Sequence, residues 1–252
     1  MSTNPRDNIS LPGKLVVFEG IDRSGKTTQL TLLSKALTSK GIPHRIIKFP
    51  CLDTKCGTIL SEHLTTKDAV RSRRAIHLLF SANRWEMMKE IVTTLESGTH
   101  ILMDRYAFSG VAYSVGAEGL SYDWCIRADE GIVSPDVVIY MDNSPSASAR
   151  RNNFGMRVQA VMFLLLFVGD ERYEDESKLD RVRKVYQHFY TLPYWHVFAA
   201  TRTREALADD IYKVVDGLMK SEPRRLSDTD LRLPKDFSGF SSGCTHLLPP
   251  FI

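Results

Sequence analysis

A segment near the start of the chain has the residue types and spacing of a phosphate-binding loop. Residues 20–27 read GIDRSGKT and fit the pattern G-x-x-x-x-G-K-[ST]. The glycines allow a tight turn whose backbone N–H groups point at phosphate oxygens, Lys26 adds a positive charge, and the Thr27 hydroxyl can bind Mg²⁺. The alternative is a glycine-containing turn without function, but an apolar run precedes the loop and a helical pattern follows it, as a phosphate loop requires.

Two arginines and one aspartate add to this site. Arg23 lies inside the loop, where it is either a solvated surface charge or a guanidinium held over the transferred phosphoryl group. Asp104 ends an apolar run, and a carboxylate at the carboxyl end of a parallel strand faces the ligand crevice, where it can hold Mg²⁺ or its waters. Arg105 follows it and can bind a second phosphate. The alternative for Asp104 is a cap of the next helix.

The elements that must position these residues alternate along the chain. Five apolar, β-branched runs predict strands at residues 15–19, 45–49, 100–105, 137–142 and 195–200. Apolar residues at helical spacing predict helices at residues 26–39, 68–96, 175–190 and 203–219. Strands that alternate with helices predict an α/β fold with a parallel sheet covered on both faces.

Composition excludes several classes of protein. A chain of 252 residues with a formal net charge of +3 predicts one large domain, or at most two small ones, and no nucleic-acid partner. The longest apolar run, residues 160–168, is too short to span a membrane, which takes roughly 20 residues. Four cysteines without a pairing or zinc pattern fit a reducing compartment. We therefore expect a soluble, intracellular protein, cytoplasmic or in a nuclear or mitochondrial pool, with no membrane partner.

Three longer runs resemble the thymidylate kinase family. They are residues 18–28 (FEGIDRSGKTT), 78–86 (LLFSANRWE) and 104–113 (DRYAFSGVAY), and the likeness extends from about residue 13 to about residue 218. The arginine inside the phosphate loop is similar to the eukaryotic and poxviral type. The resemblance implies a P-loop NTPase fold of the nucleoside-monophosphate-kinase type, with an open five-stranded parallel sheet and helices on both faces. It also implies ATP-dependent phosphorylation of dTMP to dTDP with Mg²⁺, in a homodimer.

The resemblance also implies roles for individual residues. Those that would bind ATP are Gly20, Ile21, Asp22, Arg23, Ser24, Gly25, Lys26, Thr27, Thr28 and Arg151. Those that would bind dTMP are Asp22, Phe49, Phe80, Arg84, Arg105, Tyr113 and Tyr173. Those that would act in catalysis are Arg23, Lys26, Asp104 and Arg105, with Thr27 and Asp104 holding the metal. Taken without the resemblance, Phe80 is a core residue and Arg84 an exposed charge.

One departure from the family pattern concerns the acceptor phosphate. Relatives carry an arginine two residues after the proline of the Phe49-Pro50 pair, and it binds the monophosphate. Here that position is Leu52. A lost guanidinium–phosphate contact weakens acceptor binding unless another cation, such as Lys48, Lys55 or Arg105, replaces it.

The second departure lies in the lid. We expect residues 1–220 to form a single kinase domain with a lid at about 150–175, followed by a flexible tail at 221–252. Removing the 14 residues 156–169 restores the family pattern Phe-Gly-Asp-Glu-Arg-Tyr-Glu. The insert is apolar and would create an exposed patch on a mobile lid. Codons for the residues at its two ends can contain a splice donor and a splice acceptor sequence. One hypothesis is therefore that the insert is a translated, unspliced intron. The other is that it is a real lid insertion that packs on a partner.

Two alternative functions remain open. One is a catalytically impaired nucleotide-binding relative, against which the intact Lys26, Arg23 and Asp104 argue. The other is a kinase for another nucleoside or monophosphate, against which Phe80, Arg84 and Tyr113 argue.

Overall fold

The computed structural model of the chain describes residues 5–65, 72–144 and 176–235. The strands are β1 (Ser10–Leu11), β2 (Leu15–Glu19), β3 (His44–Lys48), β4 (His100–Asp104), β5 (Val137–Asp142), β6 (Trp195–Ala199) and β7 (Arg224–Arg225). The helices are α1 (Lys26–Ser39), α2 (Lys55–Thr65), α3 (Arg73–Glu86), α4 (Met88–Glu96), α5 (Ala107–Gly116), α6 (Tyr122–Arg127), α7 (Glu176–His188) and α8 (Arg204–Met219). None of the helices in these ranges is long and apolar enough to cross a membrane.

Five of the strands form one parallel sheet in the order β3-β4-β2-β5-β6, which confirms the predicted fold class. The central strands β2 and β4 are buried along their whole length, whereas the edge strands β3 and β6 carry exposed residues. Side chains alternate between two core clusters. Val17 and Met103 face α4, α5 and α7, while Val16 and Leu102 face α1 and α8. Helices therefore cover both faces.

The prediction of one long helix over residues 68–96 is wrong. The structure has two helices there, α3 and α4, which are separated at Met87. Residues 66–71 lie outside the described ranges. Ser72 caps the start of α3 by accepting a hydrogen bond from the Ala75 N–H at 3.3 Å. Beyond the break, Ile91 and Leu95 of α4 pack into the core beside the sheet. An apolar pattern that continues from one helix into the next cannot reveal the break between them.

The chain beyond α8 differs from the expected flexible tail. In residues 221–235, β7 pairs antiparallel with β1, and Leu226, Leu231 and Leu233 are buried. Arg224 also pairs with Asp136 at 2.8 Å. This part of the tail is packed against the domain because three leucines find apolar surface there, and residues 236–252 lie outside the described ranges.

Candidate active site

The phosphate loop connects the carboxyl end of β2 to the first residue of α1. Its backbone needs glycine at both ends, because Gly20 has φ 140° and Gly25 has φ 101°. A Cβ atom on Gly20 would lie 2.7 Å from the backbone oxygen of Met141, on the neighbouring strand β5. The backbone of Arg23 is also in the left-handed region, with φ 60°, and its side chain is exposed. The loop thus packs tightly against the sheet and presents Arg23 outward.

Lys26 is buried at the centre of this loop. Its Nζ donates a hydrogen bond to the Ile21 carbonyl at 2.7 Å. Burial, followed by the positive charge of Arg105, lowers the pKa of Lys26 to about 8, while Asp22 and Asp104 act in the opposite direction. A phosphate group placed in the loop would favour the charged form of Lys26 again. The ammonium group is held in place before any nucleotide binds.

The amino end of α1 meets the carboxyl end of β4. The Thr27 hydroxyl donates to Asp104 Oδ2 at 2.9 Å. A hydroxyl and a carboxylate are hard oxygen ligands of the kind that Mg²⁺ prefers. Among the described residues there is no group of three or more His, Cys, Asp or Glu that could hold a metal. The pair fits an ion that takes its remaining ligands from nucleotide phosphates and water.

Asp22 and Arg105 form the junction between the loop and β4. Arg105 Nη2 donates to Asp22 Oδ1 at 2.5 Å, and the Tyr113 hydroxyl donates to Asp22 Oδ2 at 3.1 Å. Arg105 Nη1 also donates to the Gly20 carbonyl at 3.3 Å. Arg105 is almost fully buried and adopts a left-handed backbone with φ 69°. Strain of this kind persists only where surrounding contacts hold it, and these contacts provide that support.

Glu19 is a member of the site that the sequence reading missed. It is fully buried at the end of β2 and accepts hydrogen bonds from the Tyr106 N–H at 2.8 Å and the Ser109 N–H at 3.2 Å. It also accepts from the Ser109 hydroxyl and from the Tyr186 hydroxyl of α7 at 2.9 Å. Burial raises the pKa of Glu19, although these donors oppose the shift. The available signal was a carboxylate that ends an otherwise apolar, buried strand.

An open pocket lies next to the phosphate loop. Five of its lining residues are among those predicted to bind the acceptor, and they are Phe49, Phe80, Arg84, Arg105 and Tyr113. The other four are Tyr106, Ser109, Gly110 and Ser114. Arg105 belongs both to this pocket and to the contact with the phosphate loop. The structure therefore brings most of the predicted acceptor residues together beside the predicted donor site.

Arg84 is fixed in the pocket by Asp129, a second residue that the sequence reading missed. Arg84 Nε donates to Asp129 Oδ1 at 2.9 Å and Nη2 to Oδ2 at 2.6 Å, and both side chains are buried. The Ser81 hydroxyl also donates to Asp129 Oδ1. A Cβ atom on Gly110 would lie 2.9 Å from Arg84 Nη2, so the bare backbone of α5 makes room for the guanidinium. The expectation of an exposed Arg84, drawn without the resemblance, is wrong.

Other predicted residues lie at the edge of the site or outside the described ranges. Thr28 is exposed on the first turn of α1, and Ser24 and Ile21 are buried in the loop. Leu52 is half-buried in the loop after β3. Arg151, Tyr173 and the insert at 156–169 lie outside the described residues.

The loop that carries Leu52 is held by Asn83 of α3. Its side chain accepts a hydrogen bond from the Cys51 N–H at 2.9 Å and donates to the Cys51 carbonyl at 2.8 Å. Asn83 is fully buried. The backbone after β3 is thus fixed to the helix that also carries Phe80 and Arg84.

Replacing Asp129 with asparagine tests the buried ion pair. Asp129→Asn leaves the Arg84 guanidinium buried without its counter-charge, so we expect the free energy of unfolding to fall by about 3 kcal/mol or more. Urea denaturation followed by circular dichroism measures it. Glu130→Gln makes the same chemical change at the exposed neighbouring position and should stay within about 0.5 kcal/mol of the parent. Equal stabilities for the two variants would show that the pair contributes nothing.

Comparison with known proteins agrees with this geometry. A model of the family described as thymidylate kinase matches residues 18–211, which is most of the chain. A thymidylate kinase of Plasmodium falciparum is 39% identical over 215 residues, which cover 85% of this chain and 95% of that protein. The human thymidylate kinase is 36% identical over 201 residues, which cover 79% of this chain and 88% of that protein.

A solved structure gives the same answer at the level of the fold. The thymidylate kinase of Candida albicans superposes with a TM-score of 0.70 at 26% identity, and the match covers 86% of this chain and 98% of that one. The match to the family model covers both the phosphate loop and the pocket residues. The chain belongs to the thymidylate kinase family.

Proposed function

We propose that this chain transfers the γ-phosphoryl group of ATP to dTMP and releases dTDP and ADP, with the roles given below. The observation that carries the assignment of roles is that Arg105 takes part in both halves of the site. It lines the acceptor pocket and also donates to Asp22 and Gly20 of the phosphate loop. An acceptor phosphate bound at Arg105 would therefore lie next to the donor's terminal phosphate.

The pocket has the chemistry of a pyrimidine site. Phe49 and Phe80 offer ring faces on which a flat base can stack. Arg84 uses Nε and Nη2 for Asp129, and its Nη1 makes no hydrogen bond within the described part of the chain. That group can donate to a carbonyl oxygen on the base edge. Tyr113, bonded to Asp22, would close the sugar side, where a ribose 2′-OH is disfavoured.

Catalysis at this site would rest on position and charge. The acceptor is already an anion, so it needs no strong general base, and the protein must align it and neutralise charge. Lys26 and the loop N–H groups would bind the ATP phosphates, and Arg23 would bridge the transferred group. Thr27 and Asp104 would hold Mg²⁺, which supplies charge neutralisation when bound. Arg151 against adenine and Tyr173 in the thymidine pocket complete the proposed roles.

Removing the guanidinium of Arg23 tests its role. Because that group would stabilise charge only as the phosphoryl group moves, we expect Arg23→Ala to lower kcat by about 10³-fold with little change in either KM. Arg23→Lys should not restore the rate, since lysine lacks the planar fork. Coupled-assay kinetics measure both, with the exposed Lys35→Ala as a control. A parent-like kcat in Arg23→Ala would show that Arg23 is an ordinary surface charge.

The function itself is tested by ADP release from ATP and Mg²⁺ with a panel of nucleosides and nucleoside monophosphates. The panel is needed because the Candida albicans relative is described as having broad substrate specificity. We expect dTMP to give the highest kcat/KM. A different preferred acceptor, or none, would contradict the proposal.

The same panel should be run on a chain that lacks residues 156–169. Activity in both chains would make the insert a tolerated lid insertion. Activity in the shortened chain alone would support a translated intron, and transcripts that all retain the segment would contradict that origin. No activity in either chain would favour a catalytically impaired nucleotide-binding relative.

We also propose a homodimer formed through α2 and α3. These helices pack together, and among their described side chains three large apolar ones are exposed, Ile59 (46%), Leu78 (48%) and Trp85 (44%). Light scattering should give a dimer for the parent and a monomer for Leu78→Glu, because a charge at the centre of an apolar contact is costly. Val197→Glu introduces the same charge at a similarly exposed position on β6 and should remain a dimer. A monomeric parent, or a dimeric Leu78→Glu, would overturn the assignment.

An intracellular, cytoplasmic location completes the proposal. Cys51, Cys56 and Cys125 are free thiols in the described residues, as is usual in a reducing compartment. Fractionation of cells that express the chain would test this; recovery in a nuclear or mitochondrial pool would still fit an intracellular protein, and recovery in a membrane fraction or outside the cell would contradict it.

A further inference from the structure

We propose that Lys48 binds the phosphate group of the acceptor nucleotide, an assignment that rests on the proposed function. Lys48 is the last residue of β3 and lies directly beside the last residue of β4, with the register Lys48↔Asp104. The two residues are therefore neighbours across about 5 Å at the edge of the sheet where the site lies.

The alternation of side chains along β3 decides which way Lys48 points. Ile47 lies in the core cluster on the side of α4 and α5. Successive side chains of a strand point to opposite faces, so Lys48 faces the side of α1. Asp104 is on that same face, since its carboxylate accepts from Thr27 of α1. Lys48 thus extends along the face that carries the phosphate and metal groups.

The surroundings of Lys48 leave its charge available. Its side chain is half-buried, and within the described ranges it makes neither a hydrogen bond nor an ion pair. Burial lowers the pKa of Lys48, and the nearest charged groups that act on it are Asp104, Arg105 and Asp22. A partly desolvated cation without a partner is costly, and a phosphate dianion would remove that cost.

The position also distinguishes the acceptor from the donor. The phosphate loop follows β2, and β4 separates it from β3. Lys26 already supplies the ammonium on the donor side. The residue after Lys48 is Phe49, which lines the acceptor pocket, so the backbone of Lys48 lies next to that pocket. Leu52, four residues after Lys48, stands where the family pattern has an arginine. Lys48 supplies the cation that Leu52 cannot.

The test compares acceptors with and without a phosphate. We expect Lys48→Gln, which keeps a polar side chain but removes its charge, to weaken dTMP binding about 10- to 100-fold by calorimetry. Thymidine, which lacks the phosphate, should bind as it does to the parent, and the KM for ATP should not change. Lys48→Arg should retain dTMP binding, and Lys35→Gln, at an exposed position on α1, is the matched control.

The opposite results separate the possibilities. Unchanged dTMP affinity in Lys48→Gln, or an equal loss for dTMP and thymidine, overturns the assignment. A raised KM for ATP alone would place Lys48 on the donor instead, which also overturns it. Adding Leu52→Arg to Lys48→Gln should restore part of the dTMP affinity. If the parent binds no dTMP at all, it is the proposed function that fails.

Discussion

The ion pair between Asp22 and Arg105 is the contact on which the geometry of the site depends. Asp22 belongs to the phosphate loop after β2, and Arg105 follows β4 in a left-handed conformation. Neighbouring parallel strands bring these two ends together, but backbone pairing alone does not fix the side chains. The buried guanidinium bonded to Asp22 and to the Gly20 carbonyl joins the donor loop to the acceptor pocket. Tyr113 bonds to the same carboxylate, so the sugar side of the pocket is set by the same contact.

A second layer of buried carboxylates supports this junction. Glu19 accepts hydrogen bonds from the N–H groups of Tyr106 and Ser109 at the start of α5 and from the hydroxyl of Tyr186 on α7. Asp129 holds Arg84 against the bare backbone at Gly110. Because both carboxylates are fully buried, each needs hydrogen-bond donors, and other elements of the fold supply them. The acceptor pocket thus has walls that are fixed before a ligand arrives, which lowers the cost of ordering them on binding.

The sequence could predict what depends on local pattern. The phosphate loop, the five strands of the parallel sheet and the Asp104-Arg105 turn each depend on a few consecutive residues, and they are found where predicted. The partner of Arg84 could not be predicted, because Asp129 lies 45 positions away, in the turn that follows α6. The end of α3 at Met87 was missed because α3 and α4 both have apolar faces that join into one pattern.

The pairing of β1 with β7 has a consequence for how the molecule is made. Strand β1 is near the start of the chain, but its partner, β7, lies beyond α8, close to the end of the described residues. During synthesis all five strands of the parallel sheet emerge from the ribosome before residue 224 does, so the central sheet can assemble first. The apolar surface that receives Leu226, Leu231 and Leu233 stays uncovered until these residues have emerged as well. A ribosome that stalls after α8 would therefore leave an assembled parallel sheet beside an exposed apolar surface that favours aggregation.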